Sequence, residues 1–238
     1  MNRAAFWSAS DAIYALDCYG GGGSEPYCFE RLGAPPPGGY GEWRWERLPW
    51  PPFEPGNVVS HAVHPDGSTV FVSVYNAGTF SFDSGESLAW ARHGDWLLPF
   101  DGEAFYVRKL RAWVGICLEH RARVAACRVV DARGGVAPEP DCRFATQDLL
   151  RMPSGERHGK ANLTYMGDAE FCVQQTFTRE VDDGHDMGSV VEGPMLLRVV
   201  TFRVAYFGDG ELCAVDRRAR IYKLSRHLSE RKPFAFWI

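Results

Sequence analysis

The side chains best placed for acid-base chemistry are His61 and His64, on or beside the predicted strand Val58 to Val63. A spacing of three points them to opposite faces of a strand. Lining a channel next to a carboxylate, either would serve as a general acid or base. The plainer reading packs one imidazole at a sheet edge and puts the other in the turn Pro65-Asp66-Gly67, and it is the one preferred here. The stretch Asp182-Asp183-Gly184-His185-Asp186 crowds carboxylates around an imidazole. It lacks the alternating acidic positions and later bidentate Glu of a calcium-binding EF-hand, so a solvated acidic loop is expected. The seven cysteines (18, 28, 117, 127, 142, 172 and 213) form no Cys-x-x-Cys pair. Their odd number and scatter fit reduced, mostly buried thiols, with Cys117 and Cys127 on paired strands facing a core. No catalytic, cofactor-binding or metal-ligating residue is therefore assigned, and no cofactor is expected.

Other short signals weaken in the same way. The run Gly20 to Gly23 has no following helix or lysine of a phosphate-binding loop and reads as a hairpin tip. No serine sits in a Gly-x-Ser-x-Gly elbow. Arg217-Arg218-Ala219-Arg220, with Arg121 and Arg123, is a local basic cluster in a chain of 26 basic and 30 acidic residues with a net charge of −4. On a strand, Arg218 and Arg220 share one face while Arg217 and Ala219 point away, which suits a solvated sheet surface. Contact with nucleic acid is not expected. The sequon Asn162-Leu163-Thr164 matters only in a secreted chain.

Those residues need elements to position them, and composition says which. The 238 residues are 45% hydrophobic and 24% charged, enough apolar material for a sizeable core and too little charge for disorder or a coiled coil. No apolar run reaches the roughly 18 residues of a membrane span, and Met1 to Arg3 is not followed by a signal-peptide core. The expectation is a soluble intracellular protein, cytoplasmic or nuclear, without membrane contact. Helical periodicity is scarce, whereas short alternating runs recur between Gly, Asp, Asn and Pro. They predict strands at 12–18, 27–32, 43–48, 58–63, 69–74, 78–83, 88–92, 104–107, 110–118, 123–131, 162–166, 170–177, 195–206, 212–215 and 219–224. The intervening segments Ala34–Gly41, Gly134–Pro140, Pro153–Gly159 and Asp182–Gly193 read as loops, and Ser225–Lys232 as a tail with at most a helical turn.

Internal similarity narrows the all-β class. Trp45-Glu-Arg-Leu-Pro-Trp-Pro-Pro-Phe53 resembles Trp90-Ala-Arg-His-Gly-Asp-Trp-Leu-Leu-Pro-Phe100, with leading tryptophans 45 residues apart. A turn-plus-strand unit recurs around Tyr14, Phe71, Trp113 and Phe171, at separations of 57, 42 and 58 residues. Repeats of about 40 to 50 residues are the mark of a propeller, in which aromatic side chains fill the space between stacked four-stranded blades. Trp43 and Trp45, two apart and so on one face, and Trp90 and Trp96, bracketing a turn, are expected to be such filler rather than a ligand-facing patch.

Three stretches carry a family resemblance: Asp11-Ala-Ile-Tyr-Ala-Leu-Asp-Cys18; His93-Gly-Asp-Trp-Leu-Leu-Pro-Phe-Asp-Gly-Glu-Ala-Phe-Tyr-Val107 running into Leu110-Arg-Ala-Trp-Val-Gly115; and Gly208-Asp-Gly-Glu-Leu212 with Arg217-Arg-Ala-Arg-Ile-Tyr222. Over residues 10 to 224 the chain is similar to the kelch-like plant proteins expanded in grasses and catalogued as domain of unknown function 1668. The resemblance implies a kelch-like β-propeller and, by kelch analogy, a protein-interaction role; it carries over no catalytic residue. Typical members have further strands ahead of the Ile13-Tyr14-Ala15-Leu16 unit, so the N-terminal part is expected to be missing.

The expected architecture is one propeller-like domain over 1–238, with blade units at about 6–57, 58–103, 104–160 and 161–224 and a tail at 225–238. About four to five four-stranded blades fit this length, in a small, open or incomplete ring. An open ring would expose strand edges and favour self-association. The expected function is a non-enzymatic interaction module whose protein partner meets the loops Ala34–Gly41, Pro51–Asn57 and Asp182–Gly193. The alternatives are a propeller enzyme with His61 or His64 in a central channel, and a truncated duplicate with little function of its own.

Overall fold

The structure is a computed structural model that describes residues 5–17, 28–33, 42–120, 122–133, 135–150, 156–182, 190–208 and 210–224. Among the described residues sixteen strands follow one another in groups of four. The first group is β1 (Ala5–Ala9), β2 (Ala12–Asp17), β3 (Cys28–Gly33) and β4 (Arg44–Arg47). A 3-10 turn over Pro55–Asn57 then leads to β5 (Val58–Val63), β6 (Thr69–Val74), β7 (Gly78–Asp83) and β8 (Trp90–Gly94). Next come β9 (Phe100–Val107), β10 (Ala112–Cys117), β11 (Val124–Arg128) and β12 (Cys142–Phe144). The last are β13 (Glu156–Gly167), β14 (Glu170–Asp182), β15 (Val190–Phe207) and β16 (Glu211–Lys223). Among the described residues that 3-10 turn is the sole helical element.

The first and last groups are four-stranded sheets in chain order, β1-β2-β3-β4 and β13-β14-β15-β16. The middle eight strands form one sheet in the order β12-β11-β10-β9-β5-β6-β7-β8. Its two halves meet where β5 runs parallel to β9, with Ser60 to Ala62 against Gly102 to Ala104. The fold is thus all-β and propeller-like, a repeated four-stranded run. The chain divides into two compact units, one of 1–106, 111–118 and 126–142, the other of 107–110, 119–125 and 143–238.

In the first unit the core is aromatic. Trp7 stacks on Tyr14 at 5.9 Å between ring centres, Phe29 meets Phe82 edge-on at 4.8 Å, and Phe71 contacts Trp113 at 5.2 Å. In the second, Phe171 stacks on Phe202 at 5.8 Å within an apolar layer that includes Val173, Phe177, Val200 and Leu212. The four repeat centres Tyr14, Phe71, Trp113 and Phe171 are all completely buried. Each occupies the second strand of its group, as β2, β6, β10 and β14. The repeat found in the sequence is therefore a packing repeat.

Three expectations change. The unit at Ile13 does not open the fold, because β1 pairs with β2 from Ala5↔Leu16 to Ala9↔Ala12. Its hairpin turn is Ser10-Asp11, both at positive φ (48° and 58°), as a two-residue hairpin of primed type requires. The strands expected at 212–215 and 219–224 are one strand, β16. Asp216, at φ 55°, lies where the register against β15 slips between Thr201 and Arg203, so a bulge fills the gap between the two expected strands. The loops expected at Pro153–Gly159 and Asp182–Gly193 are in part strand: β13 begins at Glu156, and β14 and β15 stay paired out to Asp182↔Val190. Residues 151–155 and 183–189 lie outside the described residues.

Candidate interaction surface

The acid-base candidates are occupied with structure. His61, on β5, is buried, with Nε2 3.1 Å from the Phe6 carbonyl oxygen and its ring against Trp7. His64 lies just past β5, with Nδ1 2.8 Å from an Asp66 carboxylate oxygen. Asp66 organises the turn into β6, accepting from the backbone N–H groups of Ser68 and Thr69 at 2.9 Å each and from the Thr69 hydroxyl at 2.8 Å. Partial burial pushes its carboxyl up, but those donors and the neighbouring His64 outweigh it and bring the pKa down to about 2. The two histidines thus hold separate places: His64 lies in the Pro65-Asp66-Gly67 turn, as expected, but His61 is not at a sheet edge, because β5 is an interior strand with Val72 of β6 on one side and Glu103 of β9 on the other. His93 was not singled out in the sequence. It is fully buried, bonds the Ser81 hydroxyl at 2.8 Å and packs on Phe71; burial holds its pKa below the ordinary value, against the opposing pull of the Gly135 backbone and Asp131.

Cys117 on β10 and Cys127 on the adjacent β11 are buried, as their spacing suggested. Among the described residues no three His, Cys, Asp or Glu side chains gather as a metal site, and no helix is long and apolar enough to cross a membrane. The Asp183 to Asp186 part of the acidic stretch, the glycine run Gly20 to Gly23, the loop Ala34–Gly41 and the tail 225–238 lie outside the described residues. Arg217 is engaged within its own unit, donating to the carbonyl oxygens of Asp148 at 3.1 Å and Leu149 at 2.9 Å. Arg218 and Arg220 are exposed on β16.

The tryptophans divide in two. Trp90 is filler, packed on Phe29, Phe53 and Phe82 at 5.0 to 5.3 Å. Trp96 donates Nε1–H to the Ala137 carbonyl at 2.8 Å and ties down the segment between β11 and β12. Trp43 and Trp45 are not filler: they are 58% and 47% exposed, and Trp50 is 53% exposed.

The local sequence explains the exposure. β4 (Arg-Trp-Glu-Arg) is the edge strand of its sheet and is exposed at every position. Its inner side pairs with β3, placing Trp45 opposite Leu32 and Glu46 opposite Arg31, whose guanidinium bonds the carboxylate at 2.5 Å. The Leu48 N–H then donates to the Phe29 carbonyl at 2.9 Å, and Leu48 and Phe53 turn into the core while Trp50 stays outside. Charged residues at 44, 46 and 47 leave no apolar face to bury, so β4 closes its sheet without entering the core. On strand alternation Trp43, Trp45 and Arg47 line one side. A fully exposed strand carrying tryptophans is unusual for a surface with no partner, because Trp costs apolar area in water.

No curated protein matches the chain. A family model described as a protein of unknown function (DUF1668) matches residues 2–222, nearly the whole length of the chain. On that match, carried by an all-β fold of repeated four-stranded runs, the chain belongs to the DUF1668 family of proteins of unknown function.

Proposed function

We propose that this protein is a non-enzymatic interaction module of the kelch-like propeller kind, which binds another protein through the edge formed by β4 and the segment after it. The observation that carries the reading is the exposure of Trp43, Trp45 and Trp50 within eight residues. Trp and Arg are the residue types that most often dominate binding energy at protein interfaces, and Arg44 and Arg47 lie beside these three. An edge strand also offers backbone groups to an incoming strand, and the flanking charges limit indiscriminate pairing. The loop Pro51–Asn57, expected as part of the binding face, continues directly from this edge.

Proximity labelling in the native tissue tests the reading, with the wild-type chain beside a Trp43→Ala, Trp45→Ala double variant. A set of proteins enriched over matched controls by the wild type and lost with the double variant is the expected outcome. Equal labelling by both forms would remove the β4 edge from the proposal, and no enrichment by the wild type would remove the interaction role.

A further inference from the structure

Cys127 and Cys142 are brought together by a strand pairing that the sequence did not reveal. Two backbone bonds fix it: Arg128 N–H to the Asp141 carbonyl and Ala145 N–H to the Val124 carbonyl, each 2.9 Å. Both belong to one antiparallel register of β11 and β12, in which Arg128 faces Asp141 and Val124 faces Ala145. In that register Cys127 faces Cys142. Because 128 and 141 are the hydrogen-bonded pair, 127 and 142 are the non-hydrogen-bonded pair next to it. Such pairs hold their Cα atoms about 4.5 Å apart with the side chains on the same face. That lies at the short end of the window in which two cysteines can be bridged, about 4.4 to 6.8 Å.

The surroundings differ for the two thiols. Cys127 is completely buried, whereas Cys142 is half-buried on the outermost strand of the eight-stranded sheet, where a small oxidant reaches it. Each thiol donates to a backbone carbonyl, Cys127 to Arg128 at 3.6 Å and Cys142 to Pro140 at 3.2 Å, and the interaction between the two facing sulfurs raises the pKa of buried Cys127 and lowers that of Cys142. The more accessible sulfur is thus the one with the greater thiolate character.

We propose that Cys127 and Cys142 form a reversible cross-strand disulfide on exposure to peroxide, a modification site that locks the segment between β11 and β12. The Cys142 thiolate attacks one oxygen of hydrogen peroxide, the O–O bond breaks, and hydroxide leaves as water after protonation, giving a sulfenic acid on Cys142. The Cys127 sulfur then attacks the Cys142 sulfur, its proton leaves with the displaced hydroxide as a second water, and the S–S bond forms. Overall two thiols and one hydrogen peroxide give one disulfide and two waters. A dithiol or glutathione reverses it by exchange. The locked segment contains Ala137, which Trp96 and His93 already hold through its carbonyl and N–H at 2.8 Å each. Oxidation would therefore fasten a segment whose other side is pinned to β8 and the turn after it. The proposal is independent of the interaction role of β4.

Trypsin separates the two cysteines into peptides Val124–Arg128 and Gly134–Arg143, each with one thiol. The full-length folded protein is treated with a small excess of hydrogen peroxide, the remaining thiols are alkylated, and the digest is weighed before and after dithiothreitol. The expected result is one cross-linked species of these two peptides, lighter than their sum by two hydrogens, that dithiothreitol resolves into its parts. Two of the seven thiols should become inaccessible to alkylation, and the melting temperature should rise. Separately alkylated or further oxidised Cys127 and Cys142 in protein that keeps its circular dichroism would overturn the proposal. So would a link from either one to a different cysteine, or a link that forms only after unfolding. The readout uses the wild-type chain, so it does not depend on whether a cysteine variant folds.

Discussion

The indole Nε1–H of Trp113 donates to the carbonyl oxygen of Val63 at 2.8 Å, from the second strand of one four-stranded group to the end of the first strand of the group before it. The same ring is fully buried against Phe71 and His64. One side chain thus fills the core and satisfies a backbone acceptor where β5 ends. Trp113→Phe keeps most of the ring but orphans that carbonyl, and should cost about 1–2 kcal/mol. Trp113→Ala also opens a cavity and should cost about 3–5 kcal/mol. Urea unfolding of the two variants checks the ordering; equal losses would mean that the buried ring adds nothing beyond the hydrogen bond, and an unchanged stability in Trp113→Phe that the hydrogen bond contributes nothing.

Asp66 links stability to pH. Its folded pKa, about 2, lies below the ordinary carboxylate value, so its stabilisation is present above about pH 4 and is lost as the pH falls through about 2. The side chain is 35% exposed, and solvent screening reduces the linkage to about 1 kcal/mol. Asp66→Asn should therefore be less stable than the wild type at pH 7 by about that amount, with the gap closing toward pH 2. Denaturant titrations across this range decide it; a gap that stays constant would point to lost hydrogen bonds instead of lost charge.

Gly78 starts β7 at φ +93°, and a Cβ there would overlap the carbonyl oxygen of Gly94 on β8. Two costs combine in Gly78→Ala, the left-handed backbone at about 1–2 kcal/mol and the overlap at about 1–3 kcal/mol. Gly67 has a similar φ of +80° but open space around the added carbon. Gly67→Ala should cost only the first part. Thermal melts of the pair separate packing from backbone strain, and a milder effect at Gly78 than at Gly67 would contradict the placement of β8 against β7.

Exposure of the edge tryptophans is open to direct measurement. Trp43, Trp45 and Trp50 are each about half exposed, whereas Trp7 is 3% and Trp113 0% exposed. Replacing the first three by Phe should lower the share of fluorescence quenched by iodide, and Trp113→Phe should raise it. If the triple variant leaves the quenched share unchanged, these side chains are covered in solution and the β4 edge is not an open surface.

Much of the architecture was legible in the sequence because strands announce themselves locally. Val58–Val63, Thr69–Val74 and Gly78–Asp83 are β-branched or aromatic runs closed by turn residues, and their bounds in the structure agree with those read from the sequence. β12 was missed because three residues, Cys-Arg-Phe, are too few to show alternation; only pairing with β11 makes them a strand. β1 was missed because Trp7 is the one large side chain it buries, between Ala5 and Ala9.

The sequence alone determined the strand-rich class, the four-fold recurrence and the burial of Tyr14, Phe71, Trp113 and Phe171, since alternation and turn chemistry are properties of neighbouring residues. It could not decide which tryptophans fill the core. Trp45 and Trp90 head similar motifs, but the edge position of β4 leaves the first in water while Phe29, Phe53 and Phe82 enclose the second. Nor could it bring Cys127 to Cys142, fifteen residues apart, because strand register is set by backbone bonds such as those of Arg128 and Ala145. What a side chain can bind or react with depends on those long-range pairings, and only the tertiary structure fixes them.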